Sequence, residues 1–206
     1  LLPALIAGYS ERHPGVDVRF DDVPIQEVLA GLENGSTDIG FGPAGVVPAQ
    51  PAQAHMICAD PLWVALRPDD SLARDKSVSW KDVRDRPLIN YMPNIAINVL
   101  SNVPPRNHPK ELVPVHRINT ALSMLRVRQG AVICPAMAEP LVRGFGLTFL
   151  PLRQPTVRWN VAMFARRHPS LSPAVESFLN FTREFTPNWA AIGLDSRASE
   201  TKKRAQ

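Results

Sequence analysis

The chain has 206 residues, 23 lysines and arginines against 19 aspartates and glutamates, a net charge of +4, and 45% hydrophobic residues. That length admits one large domain or two small ones, and that apolar content suffices for a packed core. No run approaches the roughly 18 apolar residues of a membrane span, and the first residues lack a basic n-region and cleavage site, so a cytoplasmic protein without a membrane partner is expected. In chain order, Leu2, Leu5, Ile6 and Tyr9 share one helix face, and His13-Pro14-Gly15 stops that helix. Val16, Val18 and Phe20 alternate with Asp17, Arg19 and Asp21, which predicts a strand. Ile25, Val28, Leu29 and Leu32 repeat the helical spacing, Asn34-Gly35 supplies residues that tolerate a left-handed helix end, and residues 38–42 read as a short buried strand. Helices alternating with strands imply a parallel sheet with helices on its faces.

Residues 43–54 read as a loop, and His55 to Leu66 as one or two apolar strands containing Cys58. Ser79-Trp80-Lys81-Asp82 predicts a capped short helix, Pro87 to Tyr91 a strand, and Ile95 to Val103 a helix. After the turn-rich segment 104–109 come a strand from Leu112 to Ile118, a helix from Asn119 to Gln129 with Asn119 as N-cap, a strand from Ala131 to Cys134, and a helix from Met137 to Arg143 ended by Gly144. Val157 to Ala165 is a long strand, and Ser172-Pro173 opens a helix with Val175, Phe178 and Leu179 on one face. The apolar settings of Cys58 and Cys134 suit buried thiols in a reducing compartment. From Pro187 onward four bases oppose two acids, so the tail carries +2 and the body the other +2. Such a tail reads as solvated chain and not as a nucleic-acid arm.

The order L-L-P, H-P-G-V and L-x-x-G-x-x-D-I-G-F-G resembles the effector-binding domain of LysR-type transcriptional regulators. The likeness continues through Asp60 to Leu66, through Arg67-Pro68-Asp69-Asp70-Ser71-Leu72-Ala73, through Ile118 to Ala136, and through Gly146 to Leu152 with Pro173 to Phe185. It implies an α/β fold of two Rossmann-like lobes of the type 2 periplasmic-binding-protein fold, joined by two crossover strands. Residues 1–65 and 164–190 would form a discontinuous lobe I, residues 66–163 lobe II, and residues 191–206 a flexible tail. The family normally starts with a strand ahead of the L-L-P helix, so that leading strand is expected to be absent here. The resemblance also implies a small effector between the lobes and a homodimer or tetramer. Promoter DNA would be a partner only through an N-terminal winged helix-turn-helix that these residues lack.

Catalytic chemistry is thin in the sequence. Gly40-Phe41-Gly42-Pro43-Ala44-Gly45 satisfies G-x-G-x-x-G, but the residues behind it cannot open the helix that would receive a pyrophosphate. The five histidines lie in turns, strand starts and loops without metal-ligand spacing, and no serine sits in a nucleophile elbow. No catalytic residue, metal site or cofactor is expected, and the chain is read as a non-enzyme.

Three segments instead share a physical role, each leading from a strand end to a helix start: Pro24, Ile25 and Gln26; Pro93, Asn94 and Ile95; and Asn119 and Thr120. At that edge of an open α/β sheet, unpaired helix N–H groups favour anions. Asn94 and Asn119 could equally be N-caps alone, and the resemblance favours the ligand reading. With Phe41 and Gly42 these residues are expected to contact a small carboxylate-bearing effector, partly through apolar Ile25, Phe41 and Ile95. A transporter solute-binding protein of the same fold is the alternative.

Overall fold

The computed structural model describes residues 2–44, 52–91, 99–166 and 171–185. Its elements are α1 (Leu2–Arg12), α2 (Ile25–Asn34), β1 (Ile39–Pro43), β2 (Ala52–Leu66), β3 (Val78–Ser79), α3 (Trp80–Val83), β4 (Leu88–Asn90), β5 (Leu112–Pro114), α4 (Ile118–Val127), β6 (Val132–Pro135), α5 (Glu139–Gly144), β7 (Thr148–Arg153), β8 (Arg158–Arg166) and α6 (Pro173–Phe185). Short 3-10 turns lie at Ser71–Arg74, Pro105–Asn107 and Ala136–Ala138. The chain divides into two compact units, Leu1–Cys58 with Asn160–Gln206, and Ala59–Trp159. It passes from one to the other within β2 and again at β8. The expected tail, 191–206, lies outside the described residues.

In the first unit β1 runs antiparallel to β8, from Ile39 opposite Ala165 to Pro43 opposite Val161. The α1 face forecast from spacing is the buried one: Leu5 and Tyr9 are fully enclosed and pack with Met163, Val175, Phe178 and Phe181. Tyr9 meets Phe178 edge-on at 4.8 Å between ring centroids, while its hydroxyl lies 2.8 Å from Ser177 Oγ and donates to the Ala174 carbonyl at 3.2 Å. These contacts fasten α1 to α6, whose start is set by Pro173 and by Ser172 Oγ accepting from the Val175 N–H at 3.3 Å. Gly35 ends α2 in the left-handed conformation, φ 84°, as Asn34-Gly35 predicts.

One expected strand is absent. Val16 and Val18 turn inward and pack on the first unit's core, yet Phe20 is exposed and residues 13–24 join no ladder among the described residues. Alternation reports which side chains are buried, whereas a strand also needs a neighbour to accept its N–H groups.

The second unit is built on the end of β2, which pairs antiparallel with β6 (Trp63 opposite Cys134) and β7 (Val64 opposite Leu150). Parallel pairing occurs between β3 and β7 and between β4 and β5. The sheets are therefore mixed, not parallel as element alternation implies, because the long strands run back against their neighbours. Trp80, Leu66 and Leu152 fill one core cluster, and Ile89, Leu122, Leu125 and Phe149 another. The helix at Ser79 is capped as expected, with Ser79 and Asp82 exchanging both bonds of a capping box. One boundary moves: the N-cap of α4 is Arg117 and not Asn119. Helix α5 ends at Gly144 as expected, and the left-handed residue behind it is Gly146, φ 70°.

Candidate functional site

In the first unit the predicted contacts gather at the start of α2. Pro24 holds φ −54° and ψ 146°, so its carbonyl turns into the helix and accepts from the Glu27 N–H at 2.9 Å and the Val28 N–H at 3.2 Å. The N–H groups of Ile25 and Gln26 then have no intrahelical acceptor, and the helix dipole points its positive end the same way. Gln26 is exposed and Ile25 half-buried. Gly42 lies directly against Ile25, since a Cβ added at 42 would come 2.5 Å from Ile25 Cδ1. Phe41 points to the other face of β1 and meets Phe178 edge-on at 6.5 Å, so it serves the unit's core.

In the second unit Asn119 and Thr120 occupy the first turn of α4. Both are exposed, and neither side chain has a hydrogen-bond partner among the described residues. Arg117 provides no side-chain cap, and its carbonyl accepts from the Ala121 N–H at 3.1 Å. With no side-chain acceptor among the described residues at that helix end, its donors are available to an anion. Pro93, Asn94 and Ile95 lie outside the described residues.

Sequence reading missed the residues beneath the end of β4. A cavity of about 40 Å³ is lined by Leu62, Trp80, Tyr91, Ile133, Cys134 and Trp159. Since one water needs roughly 10–15 Å³, this space admits a methyl-sized group or a few waters but no aromatic ring. Burial, with a smaller contribution from Cys134, raises the Tyr91 phenol above its ordinary range. Burial, then the charge of Asp60, pushes the Cys134 thiol up to about 12. Both groups are therefore neutral at physiological pH and the cavity is uncharged. Tyr91 directly precedes Met92-Pro93, which was the available signal.

Among the described residues no three His, Cys, Asp or Glu side chains are placed to hold a metal ion, and no helix is long and apolar enough to cross a membrane. His108 uses its Nε2 on the Leu100 and Val103 carbonyls at 3.0 and 2.8 Å, and His13 stacks on Tyr9 at 4.5 Å, which gives both structural roles.

The model of the LysR substrate binding domain matches residues 1–187. An uncharacterised HTH-type transcriptional regulator of Shigella flexneri, YfeR, is 26% identical over 203 residues, which cover 89% of this chain and 60% of that protein. The chain spans about 60% of the length of the curated relatives it matches. The BenM effector binding domain with its effector benzoate is similar at a TM-score of 0.77 and 20% identity, covering 94% of this chain and 88% of that one. The effector binding domain of QuiR in complex with shikimate is similar at 0.79 and 15%, covering 91% of each. These likenesses identify the type 2 periplasmic-binding-protein fold.

Proposed function

Because the chain belongs to the LysR substrate-binding-domain family, we propose that it senses a small carboxylate-bearing effector for a longer transcriptional regulator. The observation that carries this reading is the first turn of α4, where exposed Asn119 and Thr120 and an uncapped helix N-terminus offer donors that no described residue uses. The start of α2, with Ile25 seated on Gly42, is assigned to ligand contact as well, its apolar side chain facing the body of the molecule. Pro93, Asn94 and Ile95 complete the assignment on sequence grounds. The effector acts by favouring the conformation it binds better. In the intact protein the domain assembles as a homodimer or tetramer in the cytoplasm, DNA is bound by residues outside this chain, and the domain itself catalyses no reaction.

Benzoate and shikimate, the ligands of BenM and QuiR, belong in the panel that tests this reading. Isothermal calorimetry against small aromatic, alicyclic and aliphatic carboxylates is expected to find at least one saturable ligand, displaced by no neutral amide analogue. A panel in which nothing binds, or in which amides bind as well as acids, refutes the carboxylate assignment.

A further inference from the structure

We propose that the second unit carries an additional anion site, built for a small molecule bearing two or more phosphate groups, in the groove between α3, the 3-10 turn Pro105–Asn107 and the end of β7. The groove is open to solvent and holds about 790 Å³, within the range of small-molecule sites, and its polar lining includes Lys81, Arg84, Arg106, Asn107 and Gln154. Four bases, Lys81, Arg84, Arg106 and Lys110, stand here against two acids, Asp82 and Asp85. Both acids are already engaged. Asp82 accepts from the Ser79 N–H at 2.8 Å and the Ser79 hydroxyl at 2.6 Å, closing the cap of α3. Asp85 is shared by Arg84 at 3.4 Å and Lys110 at 2.5 Å. Lys81 acts on Asp82 only through space and makes no ion pair or side-chain hydrogen bond among the described residues, and the Arg106 guanidinium and the Asn107 and Gln154 side-chain amides likewise make none.

The walls are fixed before any ligand arrives. The Trp80 indole donates to the Pro155 carbonyl at 3.0 Å, Arg84 Nη1 donates to the Arg106 carbonyl at 3.1 Å, and the Lys110 N–H donates to the Arg84 carbonyl at 2.9 Å. Together they tie the three segments into one rim. Gln154 is held in the left-handed region at φ 61°, a conformation that few non-glycine residues adopt. Four cations balanced by only two carboxylates leave a net positive rim, and a multiply charged anion relieves that excess while supplying pairs of oxygens for guanidinium forks. A single carboxylate would leave part of the charge uncompensated, which favours a di- or polyphosphate. None of these residues belongs to the effector assignment above, so the site stands or falls separately.

The test is calorimetric titration of the full chain with pyrophosphate at constant ionic strength, with inorganic phosphate and sodium chloride as parallel arms. Pyrophosphate is expected to bind saturably and about 10-fold more tightly than phosphate, with no heat of binding from chloride. Arg106→Gln and Lys81→Gln, which remove side chains that hold nothing together, are each expected to weaken pyrophosphate by roughly 10-fold with an unchanged melting temperature. Arg128→Gln, a surface base near Glu111 at 3.9 Å, is the charge-matched control and should leave the affinity within about 2-fold. No saturable binding at about 10 mM pyrophosphate, or an equal loss from Arg128→Gln, overturns the proposal.

Discussion

Gly42 has no side chain because Ile25 occupies its place: a Cβ at 42 would sit 2.5 Å from Ile25 Cδ1. Gly40 stands in the same relation to Val28, whose Cγ1 would overlap a Cβ outright. The first two glycines of the false dinucleotide fingerprint thus lie on the β1 face that receives α2, and they set how closely that helix approaches the sheet.

The two contacts differ in how readily they yield. Ile25 Cδ1 is the end of a flexible chain, whereas Val28 Cγ1 is attached to Cβ, two bonds from the helix backbone, and is held by a stiff χ1. Gly40→Ala is therefore expected to destabilise by about 1–3 kcal/mol and Gly42→Ala by less. Ile25→Val should recover part of the Gly42→Ala loss but none of the Gly40→Ala loss. Thermal melts of the three variants and the two doubles check this.

At the candidate site, Thr120→Val keeps the shape of the side chain and removes its hydroxyl. It is expected to weaken an identified carboxylate effector by about 1–3 kcal/mol, and Asn119→Ala by a comparable amount. Because both side chains are exposed and bond to no described residue, the melting temperature without ligand should stay put. Calorimetry and a melt on the same samples separate a ligand role from a structural one.

The Asp70–Arg86 pair in the second unit makes two hydrogen bonds, at 2.7 and 2.9 Å. Burial raises the Asp70 carboxyl, but the bonds from Arg86 and from the Leu72 N–H outweigh it, so the folded value lies below 3.8. A depressed carboxyl stabilises the fold above its unfolded value near 3.9, and that stabilisation disappears as pH falls through the folded value. Asp70→Asn is expected to cost roughly 1–3 kcal/mol at neutral pH, and the gap from wild type should begin to narrow below about pH 3.9 and close once the pH is below the lowered folded value. Urea unfolding across that range measures it.

Helix α1 buries Leu5 and Tyr9 but leaves Pro3, Ala4 and Ala7 exposed, a smooth row that lets a second backbone approach. A dimer using this helix is expected at tens of micromolar. Ala7→Arg should convert it to a monomer with an unchanged helical spectrum, and light scattering reports the mass directly.

The chain by itself is expected to show no sequence-dependent shift of a promoter fragment at physiological salt. Weak retardation that vanishes with added salt would mark only the basic tail. A complex that distinguishes one promoter sequence from another would place recognition residues within this chain.

How much of this was legible in advance depended on how local each cause is. Residues 25–34 declare α2 by spacing and end it with a glycine, Ser79 and Asp82 declare their own cap, and Val175, Phe178 and Leu179 declare the buried face of α6, because helical periods and caps are satisfied within a few residues. The N-terminal edge at Pro24 was legible for the same reason, whereas the start of α4 lies ahead of the expected Asn119 cap, at Arg117. Strand partners are not local: residues 16–20 alternate correctly and still find no ladder among the described residues, and the antiparallel return of β2 and β8 appears only when distant segments meet. Phe41 looked like a cleft residue until the pleat of β1 turned it towards Phe178. Arg84 reaches the Arg106 carbonyl, and Trp80 the Pro155 carbonyl, across 22 and 75 residues of chain. The basic groove and the small cavity under Tyr91 are set by such long-range contacts, which no spacing along the chain encodes.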